Sequence, residues 1–331
     1  MHLGTRTILF TSLWWVMTTV SRLDAEEIKP PESTSASLPE RVETFTIHTE
    51  SPTNQELRFF LRTPKKYAPG KVYRLLFLSG MTGEDRLGCA AASMHNGAWL
   101  RLADEQDWFI LTGAFTQNGG VRDRNLMFFY PETFSGKATL EALNKVAQKY
   151  PVDSQRILMQ GLSGGAQFVH RFAIWAPDRV TAVSVNSCSW FDPPNPLTKQ
   201  VAWLITVGDA DPAASQTLEM IDQLKAVGAS PVCRSYLGAG HGDNTFAGLS
   251  MAFLKCHDEL TRKDLGKPRT PETPMSERLS MLGEKMPFVG DMQSWEYMPN
   301  TPENRALVSE EAKIFLPSED VATMWGGRAT E

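Results

Sequence analysis

Cysteine is scarce in this chain, with four among 331 residues: Cys89, Cys188, Cys233 and Cys256. None stands in a C-x-x-C pair or near histidines at metal-site spacing, which argues against a structural zinc. Long hydrophobic runs are missing as well. The apolar stretch from Ile8 to Met17 is shorter than the roughly 20 residues that span a bilayer, and no later stretch is longer. Charge of one sign is also absent. The 33 basic and 38 acidic residues leave a net charge of -5, without a long basic stripe, so nucleic acid is not an expected partner. No internal repeat is visible. What is present is ordinary globular material, 42% hydrophobic and 21% charged, enough for one large α/β domain with extra pieces or two small domains.

The first residues read as a targeting segment. Arg6 precedes the apolar stretch, and Thr18, Thr19, Ser21 and Arg22 follow it, as around a signal-peptide core. Ala25 is the expected cleavage point, although Leu23 is a poor match at the minus-three position. The alternative is an uncleaved anchor. Residues 1–25 are therefore expected to direct export, to a secreted or periplasmic location, leaving no stable membrane span. Residues 26–40, rich in Pro, Ser and Glu, read as a flexible leader.

From Val42 the pattern becomes regular. Val42 to Ile47 alternates like a half-buried strand, with Leu57 to Leu61 as its hairpin partner. Then strands and helices alternate. Strands are expected at Tyr73–Leu78, Trp108–Leu111, Arg156–Gln160, Thr181–Val185, Ala202–Val207 and Val232–Leu237. Helices are expected at Ala98–Glu105, Lys137–Tyr150, Gln167–Ala176, Ala214–Val227 and Phe246–Leu260. Such alternation predicts an α/β domain over 41–262: a mostly parallel sheet with helices on both faces and an antiparallel N-terminal hairpin. Residues 263–274 carry three prolines and read as a linker. Residues 275–331 form an irregular extension of unknown role. Its aromatics either pack it onto the main domain or build a small separate module.

Chemistry concentrates at Gly161-Leu162-Ser163-Gly164-Gly165. A Gly-x-Ser-x-Gly run is weak evidence alone. Here an apolar strand leads into it and a helix follows, the setting of a nucleophile elbow. A serine hydroxyl needs a base, normally histidine. In this arrangement the acid and then the histidine follow the nucleophile in the chain. His241, in the loop Gly238-Ala239-Gly240-His241-Gly242-Asp243 after the last strand, can reach the strand C-termini. His170 reads as a helix-surface or packing residue, and His257 lies deep in the last helix pattern. Three carboxylates compete for the acid. Asp211 in Gly208-Asp209-Ala210-Asp211-Pro212 is favoured because the turn has begun to bend back there. Asp209 can be the acid or cap the next helix, and Asp192 is the third. The oxyanion donors expected are the amides of Gly164 and of Met81, in the loop Ser79-Gly80-Met81.

These residues resemble the poly(3-hydroxybutyrate) depolymerase and feruloyl esterase-like branch of the α/β-hydrolases. The likeness runs from about Tyr73 to Leu260. It is most specific at Gly161 to Phe172 with Pro177-Asp178-Arg179-Val180, and it includes Gly208-x-x-Asp211 and Gly240-His241. It implies an α/β-hydrolase fold, a Ser163–Asp211–His241 triad, no cofactor, and hydrolysis of carboxylic esters through an acyl-enzyme. One departure stands out: that branch usually has His-Gly in the oxyanion loop, where this chain has Ser79-Gly80. The amide donor survives the change.

The partner expected is an ester substrate, polymeric or small, of polyester, feruloyl or acetyl-polysaccharide type. Trp190 and the segment Arg122 to Asn125 are placed to border the mouth. Trp190 is read as a substrate-binding aromatic, with a buried structural role as the rival. After export the cysteines are expected to pair as Cys233–Cys256, from the last strand and the helix packed back along it, and as Cys89–Cys188. Two other readings compete: a non-catalytic polymer-binding protein on a hydrolase scaffold, and a serine peptidase or acyltransferase with the same triad.

Overall fold

The computed structural model describes residues 40–50, 56–68, 70–80, 86–115, 127–241, 246–267, 283 and 285–326. The expected targeting segment (1–25), most of the leader, Met81 and Arg122 to Asn125 lie outside them. Eight strands form one sheet in the order β1-β2-β4-β3-β5-β6-β7-β8. β1 (Val42–His48) and β2 (Glu56–Arg62) make the expected antiparallel hairpin, and β2 lies antiparallel to β4 (Phe109–Ala114). β3 (Leu75–Ser79), β4, β5 (Ile157–Leu162), β6 (Val180–Asn186), β7 (Ala202–Gly208) and β8 (Val232–Tyr236) are parallel. In β3, β6 and β7 every residue is buried, which is why these strands read as continuous apolar runs rather than alternating ones.

Among the described residues, six α-helices accompany this sheet: α1 (Arg86–Ser93), α2 (Gly97–Gln106), α3 (Ser135–Lys149), α4 (Gly164–Trp175), α5 (Ala214–Ala226) and α6 (Ala247–Thr261). Five match expected segments to within a few residues. α1 is the addition. Its sequence, Arg-Leu-Gly-Cys-Ala-Ala-Ala-Ser, has no apolar periodicity to announce a helix. The order of the elements places a βα turn at the carboxyl end of each parallel strand, where sites of α/β sheets form.

The opposite end of the sheet is tied by a buried ionic cluster. Arg74 and Asp258 are 1% and 0% exposed. The Arg74 Nε donates to Asp258 Oδ1 at 2.8 Å, and Trp108 Nε1 donates to Asp258 Oδ2 at 2.7 Å. Arg74 also reaches Thr261 Oγ1 at 2.7 Å, and Arg262 caps the same carboxylate. The cluster joins the entry to β3, the end of α6 and the start of β4.

The C-terminal extension packs onto the main domain, and residues from Leu38 onward form one compact unit. β9 (Phe288–Asp291) is the centre of a second, three-stranded antiparallel sheet, flanked by β10 (Glu296–Pro299) and β11 (Lys313–Leu316). Two short helices complete it, α7 (Pro302–Ala306) and α8 (Glu319–Gly326). Ile314, Leu316, Val321, Ala322 and Trp325 enter the main core. Trp325 Nε1 donates to the Cys233 carbonyl at 2.6 Å, and the Arg234 guanidinium lies 4.2 Å from the Trp295 ring centre. The extension thus covers β8, an edge strand that would otherwise stand open.

This packing overturns the expected disulfides. Cys188, Cys233 and Cys256 are all free and buried. Cys256 hydrogen-bonds toward Ser318 in the extension, while Cys233 sits on the strand that Trp325 caps. Both cysteines thus lie against the extension rather than bonded to each other. Cys188 is free and turns inward against the His170 ring, with Sγ 3.5 Å from Nδ1, while the side chain of its expected partner Cys89 lies outside the described residues. Burial pushes the Cys233 thiol up to about 12 and that of Cys256 up to about 11, so neither is a reactive thiolate.

Candidate active site

β5 ends at Leu162 and the chain turns abruptly into α4. Ser163 sits in the turn at φ 55° and ψ -120°, a backbone conformation that L-residues avoid. The surroundings hold it there. The Ser163 N–H donates to the Asn186 carbonyl at 3.0 Å, and its own carbonyl accepts from the Gln167 N–H at 3.0 Å. The flanking glycines follow from crowding. A Cβ on Gly161 would lie 2.4 Å from the Gly165 oxygen, and one on Gly165 would lie 2.3 Å from the Ser79 oxygen. β5, α4 and the loop after β3 meet at one point, and only hydrogen fits there.

His241 and Asp211 reach this turn from β8 and β7. His241 Nε2 lies 2.9 Å from Ser163 Oγ, and Nδ1 lies 2.8 Å from Asp211 Oδ2. The Asp211 side chain is 2% exposed, and its Oδ1 accepts from the Ala213 N–H at 2.9 Å. A carboxylate on Nδ1 fixes the tautomer that leaves Nε2 free to accept the serine proton. The two loops are tightly joined. A Cβ on Gly208 would lie 2.0 Å from the Ala239 oxygen, which also accepts from the Ala210 N–H at 3.1 Å.

The structure separates the three acid candidates. Asp211 alone meets His241. Asp209 accepts from the Gly238 N–H at 2.7 Å, so it holds the start of the histidine loop rather than its ring. Asp192 pairs with Arg171, Nε to Oδ1, at 2.9 Å. Gly164 opens α4, where first-turn N–H groups have no intrahelical acceptor. Met81 lies outside the described residues, but Ser79 and Gly80 just before it press on Gly165 at the start of α4.

Trp190 is not buried. It is 69% exposed, at φ 57°, so the rival structural reading is corrected. Its backbone is pinned instead: the N–H donates to Gln216 Oε1 at 2.7 Å, and the carbonyl accepts from Arg171. A backbone held from both sides thus presents an open indole on the loop after β6. Asn186 was not anticipated. Its Nδ2 donates to the Gly161 carbonyl at 3.0 Å, while Oδ1 accepts from Thr206 Oγ1 at 2.7 Å and Ser250 Oγ at 3.1 Å. This buried amide ties β5, β6, β7 and α6 together beneath the serine. No sequence signal marks it, because its partners Gly161, Thr206 and Ser250 are distant in the chain.

His170 is wholly buried, with Nδ1 3.0 Å from the Ala166 carbonyl and Nε2 accepting from the Asp192 N–H at 3.2 Å. His257 is buried against Phe253, and its Nδ1 has no partner among the described residues. Burial pulls both imidazoles down to about 3, with the Arg171 charge adding to the effect at His170. Both are neutral in the fold, while in the unfolded chain they take up protons below about 6.5. Stability is therefore expected to fall as pH drops from 6.5 toward 3. At pH 5 the loss is about 2 kcal/mol per histidine. Denaturant midpoints at pH 7.5 and 5.0 measure it, and His170→Gln should remove that residue's share of the difference.

Among the described residues, no group of three His, Cys, Asp or Glu side chains could hold a metal, and no helix is long and apolar enough to cross a membrane. No protein-family model matches the sequence, and no curated protein matches it. Solved structures do. The chain is similar to a thermostable esterase, with a TM-score of 0.51 and 19% identity over 60% of this chain. It spans only 55% of that esterase. It is also similar to an S-formylglutathione hydrolase from Agrobacterium tumefaciens, with a TM-score of 0.50 and 17% identity over 66% of this chain and 94% of that one. A third is the BES protein from Bacillus cereus, with a TM-score of 0.51 and 13% identity over 68% of this chain and 99% of that one. With the sheet order and the serine turn, these likenesses define the α/β-hydrolase fold.

Proposed function

We propose that this chain is an exported serine hydrolase that cleaves carboxylic esters through an acyl-enzyme on Ser163. The observation that carries the proposal is the unbroken contact chain from Ser163 Oγ through His241 to Asp211, on a strained turn at the carboxyl ends of the strands. The names of similar structures, an esterase and an S-formylglutathione hydrolase, agree with it. The sequence motifs further favour the poly(3-hydroxybutyrate) depolymerase and feruloyl esterase-like branch.

In this mechanism Ser163 Oγ bonds to the ester carbonyl carbon as its proton passes to His241 Nε2. Asp211 steadies the imidazolium. The carbonyl electron pair moves onto oxygen, where the amides of Gly164 and Met81 would meet the growing charge. Collapse breaks the bond to the alcohol oxygen, which leaves with the proton from Nε2. Water then gives a proton to Nε2 and attacks the acyl carbon, releasing the acid and restoring the serine.

The exposed, pinned Trp190 supports a large or polymeric substrate, since an open indole can lie against a sugar ring or an apolar polymer stretch. The purified protein is expected to release either ferulate from arabinoxylan or 3-hydroxybutyrate from its polymer, read by chromatography. Release of neither, with no turnover of p-nitrophenyl acetate, would contradict the proposal.

A further inference from the structure

The triad leaves one feature of the sheet's carboxyl end unused. A cavity of about 430 Å³ lies on the sheet face opposite α4, beneath α1, α2 and the start of α6. That volume is in the range of small-molecule pockets. Its lining begins at Leu162, the residue before Ser163, and at Ser79-Gly80, which presses on the start of α4. Trp99 and Phe246 supply aromatic surface, and Leu78 and Ala247 aliphatic surface. Two of the polar lining residues are committed to each other: Ser250 Oγ donates to Asn186 Oδ1 at 3.1 Å. Gln160 differs. It stands on central strand β5, where its neighbours Leu158 and Met159 are fully buried, yet it is only partly covered, because it faces this cavity. Its side chain lines the cavity from the middle of the sheet. An amide that lines a largely apolar, strand-borne pocket offers a hydrogen-bonding point to a ligand, and an apolar group set against it would strip its water at a cost.

We infer that this cavity is the acyl pocket of the proposed hydrolase, and that Gln160 is a specificity residue that hydrogen-bonds the far end of the acyl group. The inference rests on the ester-hydrolase reading above. Gln160 stands two residues back from the start of the serine turn at Leu162–Ser163. At about 3.3 Å per residue, its backbone lies on the order of 7–10 Å from that of Ser163. The acyl group that fits is several atoms long, flat and apolar along its body between Trp99 and Phe246, and carries a hydroxyl or similar group at its far end. Simple acetyl esters use none of this.

The test compares kcat/KM for the p-nitrophenyl esters of 4-hydroxyphenylacetic, 4-methylphenylacetic and acetic acids on the full chain. The hydroxyl and methyl probes have nearly the same shape. The wild type is expected to prefer the hydroxyl probe over the methyl one by about tenfold or more, because the unmet amide is penalised with the latter. Gln160→Leu should abolish or reverse that preference. Ala247→Phe, which fills the cavity from α6, should lower the ratio of both arylacetyl probes to the acetyl probe by about tenfold or more. Two variants at different elements guard against one misfolding, and labelling of the active serine by a fluorophosphonate reports a formed site in each. If the acetyl ester is hydrolysed and the serine labels, but neither ratio moves, the pocket assignment is overturned and the hydrolase reading stands. If wild type neither labels nor hydrolyses any of the three, both fall.

Discussion

Replacing Asp211 with Asn lowers kcat for a small activated ester by about four orders of magnitude, while the protein stays folded. The expectation follows from the role of the carboxylate. Asp211 Oδ2 accepts from His241 Nδ1, which leaves Nε2 free for the serine proton. An amide at the same place can donate instead, and the imidazole then carries its proton on the wrong nitrogen. The contact of the residue's other oxygen with the Ala213 N–H survives if the Asn oxygen turns that way, so the loop is kept. The comparison is Asp209→Asn. That carboxylate grips the Gly238 N–H and not the ring, so its loss should loosen the loop and cost far less, about tenfold. Steady-state rates on p-nitrophenyl acetate, with circular dichroism as the folding control, decide it. Equal losses from the two variants would contradict the assignment of Asp211.

The second large effect concerns the fold. Asp258→Ala is expected to lower unfolding free energy by about 3–5 kcal/mol, as removal of one partner from a buried ion pair does. The reason is what remains: Arg74, 1% exposed, would keep its charge with no counter-ion at that distance, and Trp108 Nε1 would lose its acceptor. Burial pulls the Arg74 guanidinium below its ordinary value, and Asp258 is the main group that opposes that pull. Urea denaturation measures the effect. A loss under about 1 kcal/mol would contradict the expectation.

Much of this architecture was legible in the sequence because the parallel strands are buried along most of their length, β3, β6 and β7 throughout, and read as largely apolar runs. The elbow was legible for the same reason that it works: crowding at Gly161 and Gly165 leaves room only for glycine. The order Ser163, Asp211, His241 came from the chain direction of the fold. What could not be read depended on contacts distant in sequence. The choice between Asp209 and Asp211 turns on a hydrogen bond to Gly238 that no spacing reveals. Asn186 looks like any residue ending a strand until Gly161, Thr206 and Ser250 are placed around it. The disulfide expectation failed because pairing was inferred from two elements, β8 and α6, without the extension that packs over both. For Trp190 the sequence left a site aromatic and a buried one as rivals, and the backbone pinned by Arg171 and Gln216 shows how it comes to stand exposed.

The most direct test of the central claim is the intact mass of the protein after exposure to a fluorophosphonate. One covalent adduct is predicted, located by peptide mapping at Ser163, and absent from Ser163→Ala. His241→Ala should slow its formation by several orders of magnitude. No adduct on the folded wild-type protein, or an adduct that persists in Ser163→Ala, would contradict the account.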